Sequence, residues 1–152
     1  MKVVGIDCEM VGAGPGGKTS VLARVSVVDQ DENVLLDSFV STRKNVTDYR
    51  TEKSGVRPED LVGAPDLSQV RRDVIALLKD RIVVGHEVQE DFKVLRYFPP
   101  AKYVRNSTCH LHDFSTGRTP SLKALAEREL GLIIQTGEHS PVEVGDNIFW
   151  GN

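Results

Sequence analysis

Asp7 and Glu9 stand one residue apart in the stretch Lys2-Val3-Val4-Gly5-Ile6-Asp7-Cys8-Glu9-Met10-Val11. Val3, Val4 and Ile6 read as a buried strand, and side chains alternate across a strand, so residues i and i+2 share a face. The two carboxylates are therefore expected side by side near the carboxyl end of a central strand. Like charges so placed repel unless they are protonated, solvated or bridged by a cation. A hard divalent ion with oxygen ligands, Mg2+ or Mn2+, removes that conflict most simply; a solvated strand end is the plainer alternative. Cys8, between the two, is expected to point to the opposite face and pack in the core.

Other stretches carry weaker chemistry. Gly12-Ala13-Gly14-Pro15-Gly16-Gly17-Lys18-Thr19 matches the phosphate-loop pattern G-x-x-x-x-G-K-[ST] and follows a strand. A phosphate loop must open a helix, whose amino terminus helps hold the phosphates. Residues 21–29 are instead β-branched and alternating, which predicts a strand, and Asp7 and Glu9 would set negative charge beside a triphosphate. The glycines read as a hairpin connection, and a nucleotide triphosphatase is disfavoured. Cys109-His110-Leu111-His112-Asp113 resembles a ligand cluster only superficially, because no second cluster stands at zinc-like spacing. Between residues 43 and 57, Arg43, Lys44, Arg50, Lys53 and Arg57 outnumber Asp48 and Glu52. That local excess suits a phosphate backbone or, more plainly, a solvated loop.

These groups need a scaffold. The chain has 152 residues, 39% of them hydrophobic and 27% charged, with a net charge of −3, which suits one globular domain over residues 1–152. That charge excludes attraction of nucleic acid by bulk charge alone. No apolar run nears the ~20 residues that span a bilayer, and the first strand follows Met1 directly, so no membrane partner is expected. Two cysteines do not build a disulfide framework. After the hairpin, Asp29-Gln30-Asp31-Glu32-Asn33 turns into a third strand over 34–40, completing an antiparallel meander. Pro58 and Glu59 open a short helix. Asp66-Leu67-Ser68-Gln69 has the form of a capping box, followed by Leu67, Val70, Val74, Leu77 and Leu78 at helical spacing. Residues 81–86 read as a buried strand, 87–98 as a helix halted by Pro99-Pro100, and 103–105 as a last strand. Thr119-Pro120 is a good helix start and Gly131 a good stop. Strands alternating with helices after a meander predict an α/β fold, a mixed sheet flanked by helices.

Asp91 lies about one turn into the predicted 87–98 helix, and His139 stands in Glu138-His139-Ser140-Pro141-Val142-Glu143. Together, Asp7-Cys8-Glu9-Met10-Val11-Gly12, Thr47-Asp48-Tyr49-Arg50-Thr51, Val84-Gly85-His86 with Asp91-Phe92, and Glu138-His139-Ser140 resemble the DEDDh 3′–5′ exonucleases. The nearest branch is that of RNA exonuclease 4 and the interferon-stimulated exonucleases, and the resemblance runs from about Val3 to Glu143. It implies a ribonuclease H-like fold and hydrolysis of RNA or single-stranded DNA from the 3′ end. It also implies a two-metal Mg2+ or Mn2+ site, a part in ribosomal RNA processing, and a nuclear or nucleolar setting. Residue by residue, it implies Asp7, Glu9 and Asp91 as metal ligands and His139 as the general base for the attacking water. Met10 then lines the terminal nucleotide and Arg50 contacts the substrate backbone, with Tyr49 and His86 beside them. Such chemistry suits those types: clamped metals ready a water and stabilise a leaving oxygen, and histidine accepts a proton near neutral pH.

The chain departs from that pattern after the histidine. The family continues H-S-x-x-E-D-A, with the aspartate as fourth metal ligand, and Val144 stands at that position here. Valine cannot bind magnesium, and Asp146 is displaced by two residues. The family's long covering helix is replaced by a short, glycine-rich 145–152 segment with Ile148, Phe149 and Trp150 to patch the sheet. A break in mid-motif is what a truncated product would look like. Asn106 stands where the family has aspartate in an Arg-Asp-Thr run. The expectation is a single exonuclease domain lacking its final helix, with weakened binding of at least one ion, lower stability and a large loss of rate. A nucleic-acid-binding module with lapsed catalysis is the alternative.

Overall fold

In the computed structural model, residues 2–106 are described. The expectations for His139, Val144, Asp146, the cluster at Cys109, the 119–131 helix and the 148–150 patch lie outside the described residues. β-Branched stretches form the sheet: β1 (Val3–Ala13), β2 (Thr19–Asp29), β3 (Val34–Phe39), β4 (Val46–Asp48), β5 (Ile82–Gly85) and β6 (Val104–Asn106). Three α-helices accompany it among the described residues: α1 (Thr51–Ser54), α2 (Leu67–Leu78) and α3 (Val88–Leu95). Strand order is β3-β2-β1-β5-β6, with β4 pairing the far end of β1. The β1–β2, β2–β3 and β1–β4 pairs are antiparallel, whereas β1–β5 and β5–β6 are parallel. The mixed sheet expected from the meander and the later alternation is therefore present, with β1 at its centre.

Val4, Ile6 and Cys8 of β1 meet Val70, Val74 and Leu78 of α2 and Val88, Phe92 and Leu95 of α3 in one core cluster. This is the strand alternation at work: every second residue of β1 goes into the helix-covered core. A smaller cluster of Val11, Ala13, Val21, Ala23 and Val56 seals the far half of the β1–β2 hairpin.

Four local expectations change. The carboxylates lie in the middle of an eleven-residue strand, not at its end, because β4 prolongs the pairing of β1 at Gly12 and Ala13. The basic 43–57 stretch holds two elements, β4 and α1, that its sequence does not announce, since three and four residues leave too little periodicity to see. α3 stops at Leu95, before the prolines, because Arg96 takes a left-handed conformation with φ 59°. Finally, only half of the capping box forms. Asp66 accepts the Gln69 N–H at 2.9 Å, while the Gln69 side chain turns to Asp73 and Arg72.

Candidate active site

β1 outruns its parallel neighbour. β5 pairs it only from Val3↔Ile82 to Gly5↔Val84, and β4 takes up the same edge again at Gly12 and Ala13, so among the described residues that edge of β1 is unpaired between Ile6 and Val11. A cavity of about 320 Å³ lies there. From β1 it is lined by Asp7, Cys8, Glu9 and Met10, from the β5–α3 segment by His86 and Asp91, and from the basic stretch by Arg50 and Lys53. Openings at the carboxyl ends of parallel strands are where α/β folds commonly bind ligands. Gly85 permits the convergence: a Cβ there would stand 2.9 Å from Val88 Cγ2 and 3.1 Å from the Ile6 carbonyl oxygen. Without one, the start of α3 packs directly on β1 and brings Asp91, in its first turn, over the strand edge. The Glu87 N–H at the entry to α3 donates to Asn106 Oδ1 at 3.1 Å, which ties that turn to the end of β6.

Electrostatically the cavity is under strain. Asp91 is 5% exposed, and its Oδ2 is buried with no hydrogen-bond partner among the described residues. Burial first, then the charges of Asp7, Glu9 and Glu90, push its pKa up to about 8, partly offset by the Cys8 amide. Asp7 is open to solvent on the cavity side, yet the protein packed around it raises its pKa, against the lowering charges of Arg24 and His86. Glu9 is raised by burial and by Asp7. Arg24 faces Glu9 across the β1–β2 register, but it does not neutralise the pair. Its guanidinium is held by Asp37 in two hydrogen bonds of 2.9 and 2.7 Å and lies over the Phe39 ring. Burial raises the Cys8 thiol well above its ordinary range, so it stays protonated and inert.

The glycine-rich segment connects β1 to β2 through a single 3-10 turn (Pro15–Gly17) and opens no α-helix, which removes the phosphate-loop reading. It holds an arginine instead. Arg50 donates from Nη1 to Ser20 Oγ and from Nη2 to the Gly17 carbonyl oxygen, both at 2.9 Å. The Arg50 N–H bonds Asp48 Oδ1 at 2.9 Å, and Thr47 Oγ1 donates to the Gly14 carbonyl oxygen at 2.6 Å. Gly17 has φ +63°, and a Cβ there would come within 2.7 Å of Asp48 Cβ. Arg50 thus reaches the cavity wall with two of its five N–H donors engaged.

Of the residues singled out in the sequence, Asp7, Glu9, Met10, Arg50, His86 and Asp91 line this one cavity. Tyr49 does not: its ring packs against the Val11 cluster. His139 lies outside the described residues. Sequence reasoning missed Ser20, Glu87 and Glu90 in the cavity wall and Arg24 beside it. Glu90 adjoins Asp91 and was visible in principle, whereas Arg24 depends on a register that shifts between Glu9 and Met10.

The donor set fits a hard divalent cation in kind: the carboxylates of Asp7, Glu9 and Asp91 share one opening, and Asp91 Oδ2 is buried with no partner among the described residues. Among the described residues, no three His, Cys, Asp or Glu side chains already stand in an arrangement that holds an ion. The fit is one of chemistry and not of finished geometry.

The exonuclease family (RNase T type) matches this chain over residues 4–140. RNA exonuclease 4 of Cryptococcus neoformans var. neoformans serotype D is 47% identical over 139 residues, which cover 90% of this chain and 34% of that relative. RNA exonuclease 4 of Saccharomyces cerevisiae is 40% identical over 145 residues, covering 93% of this chain and 50% of the relative. The chain thus spans a third to a half of the length of these relatives. Among solved structures it is similar to the pseudoubiquitin hydrolase–RNA exonuclease module of Saccharomyces cerevisiae Pan2 in complex with AAGGAA RNA. That similarity has a TM-score of 0.64 at 27% identity and covers 95% of this chain and 27% of the module. The fold is accordingly ribonuclease H-like. Matched along nearly all its length, with the acidic residues of two distant segments carried to one opening, the chain belongs to the exonuclease family.

Proposed function

We propose that this chain is a metal-dependent 3′–5′ exonuclease domain that shortens RNA, and by the same chemistry single-stranded DNA, from the 3′ end. The observation that carries the proposal is the convergence of Asp7 and Glu9 of β1 with Asp91 of α3 in one cavity, where Asp91 keeps a buried oxygen with no partner among the described residues. Asp7, Glu9 and Asp91 would hold Mg2+ or Mn2+, which when bound polarises the phosphoryl group and acidifies a water. Met10, half-buried at the cavity wall, offers an apolar surface to the terminal nucleotide. Arg50, fixed by Ser20 and Gly17, and Lys53 supply positive charge to the scissile phosphate. His139 takes the proton of the attacking water. Names and bound RNA among the relatives support RNA as substrate. A role in ribosomal RNA processing in the nucleus or nucleolus follows from the family resemblance.

Val144 favours a second reading, a nucleic-acid-binding module whose catalysis has lapsed, because the family's fourth carboxylate position is apolar here. One assay separates the two. Single-stranded RNA labelled at its 5′ end is incubated with the chain and Mg2+ or Mn2+. Stepwise loss of 3′ nucleotides, abolished by Asp7→Asn, supports the exonuclease; retarded RNA without shortening supports the binding module. Val144→Asp should raise the rate by about tenfold or more, the effect of returning an interaction made in the transition state. An unchanged rate removes the lapsed-ligand account.

A further inference from the structure

A second cavity of about 310 Å³ adjoins the first and shares Ser20, Glu90 and Val94 with it as walls. Its charge is of the opposite sign. Lys44, Lys93 and Arg96 line it, and the single acid among its described lining residues is Glu90, already ion-paired with Lys93 at 3.0 Å. The first cavity carries Asp7, Glu9, Glu87, Glu90 and Asp91 against Arg50 and Lys53. The two openings form one groove, acidic at one end and basic at the other.

Two details indicate that the basic end is built. Arg96 occupies a left-handed conformation, φ 59°, which disfavours a long side chain. That conformation is held by Arg71, whose Nε and Nη2 donate to the Arg96 carbonyl oxygen at 3.2 and 2.9 Å. This turn also ends α3, its N–H bonding back to the Lys93 and Phe92 carbonyl oxygens, and it sets the exposed Arg96 in the cavity wall. Lys44 is set by its own N–H bond to Thr42 Oγ1 at 3.1 Å, and Thr42 and Ser41 add hydroxyls to the same wall.

We infer that the basic cavity is the path of the substrate strand: Lys44, Lys93 and Arg96 receive the phosphates of nucleotides upstream of the 3′-terminal one. The inference rests on the proposed exonuclease reading and adds a direction to it. The 3′ end lies at the acidic cavity, where a cation can offset the carboxylates, and the rest of the strand leaves over Ser20 and Val94 into positive charge. Single-stranded polyanions are bound by such tracks of cations with little regard to sequence. A dinucleotide would engage the acidic end alone, whereas a longer strand would engage both.

The test is binding of 5′-fluorescein RNA of two and six nucleotides, read by anisotropy with Ca2+ as the divalent ion. The full chain should bind the six-nucleotide strand more tightly. The Lys44→Gln/Lys93→Gln/Arg96→Gly variant, in which glycine keeps the left-handed turn, should lose about tenfold on six nucleotides and less than twofold on two. Its slope of log affinity against log salt should fall by about 2, at roughly 0.7 for each phosphate that the three cations would otherwise neutralise. Lys44→Glu alone, at a solvated position, should weaken the six-nucleotide complex more than Lys44→Gln. Equal affinity of wild type for both lengths, or a variant that matches wild type on six nucleotides, overturns the path and leaves the exonuclease reading standing. A variant that weakens equally on both lengths also overturns it. Wild type that binds neither RNA overturns both.

Discussion

Asp91 sets the behaviour of the site at the scale of single residues. A carboxyl pushed up to about 8 by burial and by Asp7 and Glu9 binds its proton more tightly folded than unfolded. Folding is therefore favoured by acid through this group. Its contribution is greatest below the ordinary value of 3.8 and is lost as pH rises toward about 8. In EDTA, the thermal midpoint of wild type relative to Asp91→Asn should fall between pH 5 and pH 8. Parallel midpoints across that window would remove the burial argument. Asp91→Asn should also be the more stable chain at pH 8 without metal, and the less responsive one when metal is added. That Asp91 is a candidate ligand was legible from its place in a motif. That it is buried, and that its second oxygen lacks a partner among the described residues, was not, because an aspartate in a helix's first turn is ordinarily solvated and favourable there.

At the scale of elements, positions without side chains decide where the charged ones go. Gly85 lets α3 rest on β1, and a Cβ there meets Val88 and the Ile6 carbonyl oxygen at 2.9 and 3.1 Å. Gly85→Ala should cost about 1–3 kcal/mol, as overpacking does. By shifting α3, it should also weaken cation binding more than an equally destabilising change elsewhere. Asp66→Ala provides that comparison. Losing the cap of α2, a helix that contributes nothing to the cavity, should cost about 1 kcal/mol in urea unfolding and leave cation affinity unchanged. Equal affinities for the two variants would show that α3 placement does not govern the site. Periodicity made α2 and the meander readable in the sequence. It failed for β4, α1 and the end of α3, which depend on pairing with β1 and on left-handed turns at Arg50 and Arg96.

For the whole molecule, the groove joins opposite charges within a chain of net charge −3. A ligand that binds only the folded state raises its stability by mass action, about 2.7 kcal/mol at a hundred times its Kd. Mg2+ or Mn2+ should therefore raise the thermal midpoint, and by more at pH 8, where Asp91 gives up its proton more readily, than at pH 5, where a cation must displace it. Differential scanning fluorimetry at the two pH values checks this, and a gain that is equal at both, or absent, would count against a cation held by these carboxylates.

By itself the sequence determined the mixed α/β sheet, the strand that carries Asp7 and Glu9, the inert burial of Cys8, and the strand that follows the glycine-rich turn. Each follows from local alternation and residue type, which act over a few neighbours. The tertiary structure decided what no local pattern contains: that β5 ends early and opens an edge of β1, that Gly85 lets α3 carry Asp91 to that edge, and that the glycine turn grips Arg50. It also set a cavity lined by Lys44, Lys93 and Arg96 beside the acidic one. Those outcomes depend on residues far apart in the chain, where close packing and unpaired strand edges, rather than local propensity, determine which side chains meet.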